Sequence, residues 1–135
     1  MTAKAFLEEY KTVVELVEIY ERRLDFCGDE TAAQKINAAS IREELDASIE
    51  TAKKERGKRM ALINKIKNVQ QRNVLLMRYI DLQSWDTITA AMFGNMAEFY
   101  DRPENYKRRT YRLHGRALQE LDAILKKQQP EPKGE

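Results

Sequence analysis

Residues 106–118 read YKRRTYRLHGRAL. Lys107, Arg108, Arg109, Arg112 and Arg116 stand here without an intervening acid. A guanidinium can bond the O6 and N7 atoms of a guanine together, and a tyrosine can pack on a thymine methyl or bond a phosphate. The same stretch carries Leu113, Ala117 and Leu118 at helical spacing, with Thr110 before them and Leu121 after. That periodicity predicts one helix with a buried face and a basic face. The chemistry on offer is recognition of a polyanion. The competing reading is a solvated basic face on a helix that only packs.

No set of residues offers catalysis. The sequence holds no Gly-rich phosphate loop, no cluster of metal ligands and no nucleophile with a base and an orienting partner, so no enzyme, no metal and no cofactor is expected. His114 is the single histidine; it reads as a surface or phosphate-contacting residue. Cys27 is the single cysteine, which rules out an internal disulfide and fits a reducing, cytoplasmic setting. It reads as a small packing residue. The pairs Glu8-Glu9 and Glu43-Glu44 read as solvated helix faces. Gly115 is unexpected inside a helix and marks close approach either of another helix or of a DNA backbone.

Charge is unevenly shared along the 135 residues. Residues 1–58 carry ten Lys/Arg against thirteen Asp/Glu, a net −3. Residues 59–127 carry thirteen against seven, a net +6. The asymmetry places a polyanionic partner on the second half. Charged residues make up 34% of the chain, and glycines number only five and prolines three, so long helices with much solvated surface are expected rather than a β-sandwich. The first residues, MTAKAFLEEYK, hold no basic region followed by an apolar run, so a secretory leader is not expected. No apolar stretch approaches the ~20 residues of a membrane span.

The elements that position the basic helix can be read from spacing and caps. Phe6, Tyr10, Val13, Val17, Tyr20 and Leu24 recur by fours and threes, a heptad seam over a first helix of about Thr2 to Cys27. Gly28-Asp29-Glu30-Thr31 reads as a turn. A second helix of about Thr31 to Lys67 carries Ile41, Leu45, Ile49 and Ala52, weakens around Gly57, and resumes at Met60, Ile63 and Ile66; a bend or break near Gly57 is expected. Two helices on a short turn predict an antiparallel hairpin with a thin core and scope for self-association. Asn68 and Gln71 then signal a helix start, followed by bulky Val74, Leu75, Met77 and Tyr79. Asp81-Leu82-Gln83 breaks that helix. Ser84 caps the next one, with Trp85, Ile88 and Met92 turned inward, Trp85 in the core and Gly94 as terminator. The expected organisation is a helical coiled-coil arm over 1–58, a helix-turn-helix domain over 59–127 and a flexible tail over 128–135.

The run NVLLMRYIDLQSWDTITAAMF, followed by YRLHGRALQEL, resembles the fourth region of bacterial sigma factors, the helix-turn-helix that reads the upstream promoter element. VLLMRY at 74–79 is similar to the bracing helix, SWDTI at 84–88 to the capped second helix, and RLHGRALQEL at 112–121 to the closing stretch that packs the recognition helix. The chain as a whole resembles small phage and prophage proteins that join a coiled-coil arm to a sigma-like helix-turn-helix, among them regulators of late phage transcription. The resemblance implies an all-α fold and a partner in duplex DNA. It places Lys107, Arg108, Tyr111 and Arg112 where the family contacts base edges. Arg109 and Arg116 then suit phosphates, which fix register without reading sequence. The arm would serve a homodimer or a partner such as RNA polymerase. One departure is the long connection GNMAEFYDRPE at 94–104, against the usual 3–4 residues. Asp101 and Glu104 could start the last helix near Arg102, Asn105 offers a later cap, and Asn95 could cap a short extra helix. Two other functions stay open: a DNA-recognition subunit for phage genome packaging, and a helical adaptor whose basic face meets an acidic protein.

Overall fold

In a computed structural model, described here for residues 1–128, the chain is all-α. Among the described residues it forms five α-helices and one π-helical turn. They are α1 (Ala3–Asp25), α2 (Ala32–Ile63), α3 (Val69–Leu75) running on into the π-turn Leu76–Ile80, α4 (Trp85–Phe93) and α5 (Pro103–Gln128). The expected tail at 128–135 lies, but for its first residue, outside the described residues. None of the described helices is long and apolar enough to cross a membrane.

The chain divides into two compact units, one of residues Glu8–Lys58 and one of Met1–Leu7 together with Arg59 onward. In the first, α1 and α2 run antiparallel. Tyr10, Val14 and Val17 line a shallow groove with Ile49, Ala52 and Arg56, and Arg23 near the far end of α1 pairs with Glu44 at 3.5 Å. The turn is closed by a reciprocal cap. The Gln34 backbone amide donates to the Thr31 hydroxyl at 3.1 Å, and the Thr31 backbone amide donates to the Gln34 side-chain oxygen at 2.9 Å. Helix α2 passes through Gly57 without a break. The expected break does not occur, because a glycine costs only ~1 kcal/mol in a helix interior. The helix on both sides is sound, with the i,i+3 pairs Glu50–Lys53 and Glu55–Lys58.

The second unit holds the basic helix. Thr2 caps α1, accepting from the Ala5 amide at 3.1 Å, and the Ala3 amide donates to the Asp122 carboxylate of α5 at 2.7 Å. Arg59 is 1% exposed, donates to the Phe6 carbonyl at 2.9 Å and lies 4.2 Å from the Phe6 ring centre. The caps of α3 and α4 stand as the sequence suggests: Asn68 accepts from Gln71 at 2.9 Å and Ser84 from Thr87 at 3.2 Å. Val74, Leu75, Ile88, Phe93, Ala117 and Leu121 form the core between α3, α4 and α5. Thr89 and Thr110 meet inside it at 3.2 Å, and each hydroxyl also reaches the carbonyl four residues back in its own helix. Their satisfied hydroxyls let α4 and α5 approach closely without stranding a polar atom.

Two local features escaped the sequence reading. The end of α3 widens into a π-turn, and the Gln83 backbone amide reaches back to the Met77 carbonyl at 2.9 Å. Leu82, at φ 55°, occupies the left-handed position that closes it. At the other end of α4, the expected Gly94 terminator follows Phe93 with ordinary helical φ. Its need for glycine is steric, since a Cβ there would collide with the Ala90 carbonyl oxygen.

Candidate nucleic-acid interface

Helix α5 starts at Pro103, so Arg102 is its flanking residue and Asn105 lies inside the first turn rather than at a cap. Pro103 suits that place, since the first helical amide has no intrahelical partner to lose. The expected short helix capped by Asn95 does not form; residues 95–101 run through bends and turns. This connection packs on its own helix. Phe99 and Phe93 meet the Tyr106 ring at centroid distances of 5.7 and 5.5 Å, which seats the first turn of α5 against the end of α4.

Beyond that turn α5 has two faces. Thr110, Ala117 and Leu121 are fully buried, and the spacing of seven and four puts them on one stripe. Leu113 and Leu118, expected in the same stripe, are only half-buried because they sit at its margins. Arg108, Arg109, Tyr111, Arg112, Gly115 and Arg116 are exposed.

Trp85, at the first position of α4, is half-exposed rather than core. It is the hub of a surface cluster. The Arg78 guanidinium lies 4.7 Å from its ring centre, Tyr111 meets it edge-on at 5.1 Å and His114 at 4.7 Å. Arg78 also donates to the Gln83 carbonyl at 3.1 Å, tying the α3–α4 turn to the cluster. His114 is not a surface residue as expected. Its Nε2 shares a 2.7 Å hydrogen bond with the Tyr79 hydroxyl, and the rings stack at 5.7 Å. Partial burial lowers its pKa to about 4, with the nearby Lys4 and Arg78 charges adding to the effect. A neutral imidazole is a poor phosphate ligand and a good packing partner.

The expected base-contacting residues divide by surroundings. Arg108 projects into solvent. Tyr111 is 43% exposed with its ring steadied by Trp85. Lys107 is engaged: its ammonium lies 2.9 Å from the Asp86 carboxylate of α4, whose hydrogen bond and charge raise its pKa above the usual lysine value. Arg112 lies with the two residues expected on phosphate. Arg109, Arg112 and Arg116 line a cleft of about 260 Å³ together with Leu113 and with Gln70 of α3. The Arg109 guanidinium is also 4.7 Å from the Phe93 ring centre, which fixes it at the cleft wall. Among the described residues no acid pairs with these three arginines. Gln70 and Asp86 were not singled out in the sequence, where nothing local links either one to α5.

The positions that form most of this surface fall inside a recognisable stretch. Residues 30–114 match a family described as protein of unknown function (DUF1492). No curated protein and no solved structure matches the chain. The matched stretch exceeds half of the 135 residues and takes in α3, α4, their connection and α5 as far as His114. The chain belongs to this family of proteins of unknown function, DUF1492.

Proposed function

We propose that this protein is a phage-derived transcription regulator that binds duplex DNA, with α5 as the recognition helix of a sigma-like helix-turn-helix and α3 and α4 as its brace. One observation carries the reading. Helix α5 is fixed on one side by the buried Thr110, Ala117 and Leu121, and offers on the other Arg108, Tyr111, Arg112 and Arg116 with no acid between Glu104 and Glu120. A rigid helix with a protruding basic face suits the major groove, whose ~12 Å width admits a helix. The arm serves self-association or contact with a partner such as RNA polymerase. Its support is the half-open apolar groove that Val13, Leu16 and Ile19 line with Ala47.

Selection of bound sites from random duplex tests the proposal. A defined motif should emerge, and Arg108→Ala should relax it at one position by ~1–3 kcal/mol, the usual worth of a bidentate base contact. Absence of duplex binding at low salt would leave the adaptor reading in its place. A ring of eight or more subunits in solution would favour genome packaging over regulation.

A further inference from the structure

Building on α5 as the DNA-facing helix, we infer that the cleft of Gln70, Arg109, Arg112 and Arg116 is a phosphate clamp on the backbone of the duplex, so that Arg112 grips the backbone instead of reading a base. Residues 109, 112 and 116 are three and four apart, so their side chains gather within roughly 60° of one another along two helical turns. Gln70 comes from α3 and stands across the cleft from them. Its carboxamide supplies a neutral donor from a second element, which makes the cleft two-sided.

Three properties favour a phosphate. Three arginines and one glutamine line a single cleft of about 260 Å³, which has room for a phosphate group. Guanidinium forks bond phosphate oxygens in pairs. No described carboxylate neutralises them, so their charge is available to an incoming anion. Arg109 is held over Phe93 and Leu113 forms the apolar wall, which limits the side-chain freedom that binding has to freeze. Arg108, next to Arg112 around the helix, and Tyr111, further round, do not line the cleft and keep the groove-reading role. The helix is thereby divided lengthwise into a backbone edge and a base-reading edge.

The test compares Arg112→Ala, Gln70→Ala and Arg108→Ala in the full chain, each first checked for an unchanged thermal melt. Affinity is measured on the selected duplex and on random duplex, across salt. The inference expects Arg112→Ala to weaken both duplexes by the same factor, about tenfold, and to lower the salt slope by about one. Gln70→Ala should weaken both by a few-fold with the slope unchanged. Arg108→Ala should weaken the selected duplex far more than the random one. In parallel, inorganic phosphate is titrated while the arginine Nε–H and Gln70 side-chain signals are followed by NMR. Shifts at Arg109, Arg112, Arg116 and Gln70, and none at Arg108, support the clamp. If Arg112→Ala instead costs selected binding alone, the clamp is overturned while DNA binding stands. If no duplex binds but phosphate still shifts the cleft signals, the DNA reading fails and the duplex as the source of the phosphate falls with it, leaving a small phosphorylated ligand. Silence at the cleft in both arms overturns the site altogether.

Discussion

At the residue scale, His114 couples the stability of α5 to pH. Its pKa falls from 6.5 to about 4 on folding, so between those values the unfolded chain binds a proton that the folded chain refuses. Stability contributed by the neutral ring is therefore present above about pH 6.5 and lost as pH falls toward 4. The full shift corresponds to ~3 kcal/mol, and the half-exposed position reduces that to about 1–2 kcal/mol. His114→Gln should remove this slope. Urea unfolding of both proteins at pH 7.5 and pH 5 measures it, and a wild-type loss equal to the variant's would show that His114 does not titrate across folding. Burial also ranks two leucines that look alike in sequence. Leu121 is 0% exposed, so Leu121→Asp strands a charge in the core and should abolish the cooperative melt. Leu113 is half-buried beside three arginines, so Leu113→Asp should leave the fold intact with a loss of ~1 kcal/mol or less, while a carboxylate at the clamp weakens duplex binding. Periodicity alone gave Leu113 the buried role, because a helical wheel does not locate the margin of a stripe.

At the element scale, Gly57 and Gly115 form a matched pair. Each is interior to an exposed helix surface, and a Cβ at either meets nothing within 4 Å. Close approach of a helix within this chain therefore does not explain Gly115, which leaves a helix of a partner chain or the proposed DNA backbone. Alanine at either site should stabilise the protein by about 0.5–1 kcal/mol through helix propensity and reduced unfolded-state freedom. Their effects on DNA should part. Gly57→Ala should leave duplex affinity unchanged, whereas Gly115→Ala should lower it severalfold, because position 115 shares the outward face with Tyr111 and Arg112. Equal affinities for the two variants would free Gly115 of any backbone contact. What the sequence made legible follows the same local logic. The caps at Asn68 and Ser84 and the stripe of Thr110, Ala117 and Leu121 are written within a few residues of themselves. The left-handed Leu82 was not legible, since an apolar residue stands where glycine or asparagine is the usual signal. Nor were the partners that meet only after folding: Tyr79 with His114, Lys107 with Asp86, and Gln70 with the arginines. Those pairs lie far apart in the chain, and no spacing rule reaches across such intervals.

At the scale of the whole molecule, charge and association act together on binding. The residues from 59 to 127 carry a net +6 and residues 1–58 a net −3, so the duplex of the proposed function would be drawn to one region and repelled by the other. The asymmetry favours one orientation of encounter over non-specific coating. The number of phosphates engaged can be bounded from side chains. On the proposed reading Arg108 and Tyr111 face the groove and Arg109, Arg112 and Arg116 form the clamp, while Lys107 is held by Asp86. Three to four cations per chain would then each neutralise a phosphate and displace counterions. With each neutralised phosphate contributing about −0.9 to the slope of log K against log salt, one chain should give roughly −3 to −4. A dimer joined through the arm and binding as a unit should give roughly −6 to −7, about twice that value. Fluorescence anisotropy with a selected duplex over a salt series, paired with light scattering for the mass of the bound species, measures both quantities on one sample. A slope near −7 with a dimeric mass would support self-association through the arm; a slope near −3.5 with a monomeric mass would leave the arm for another partner. A slope close to zero at any mass would mean that the basic face of α5 does not meet phosphate, and the proposed function would fall with it.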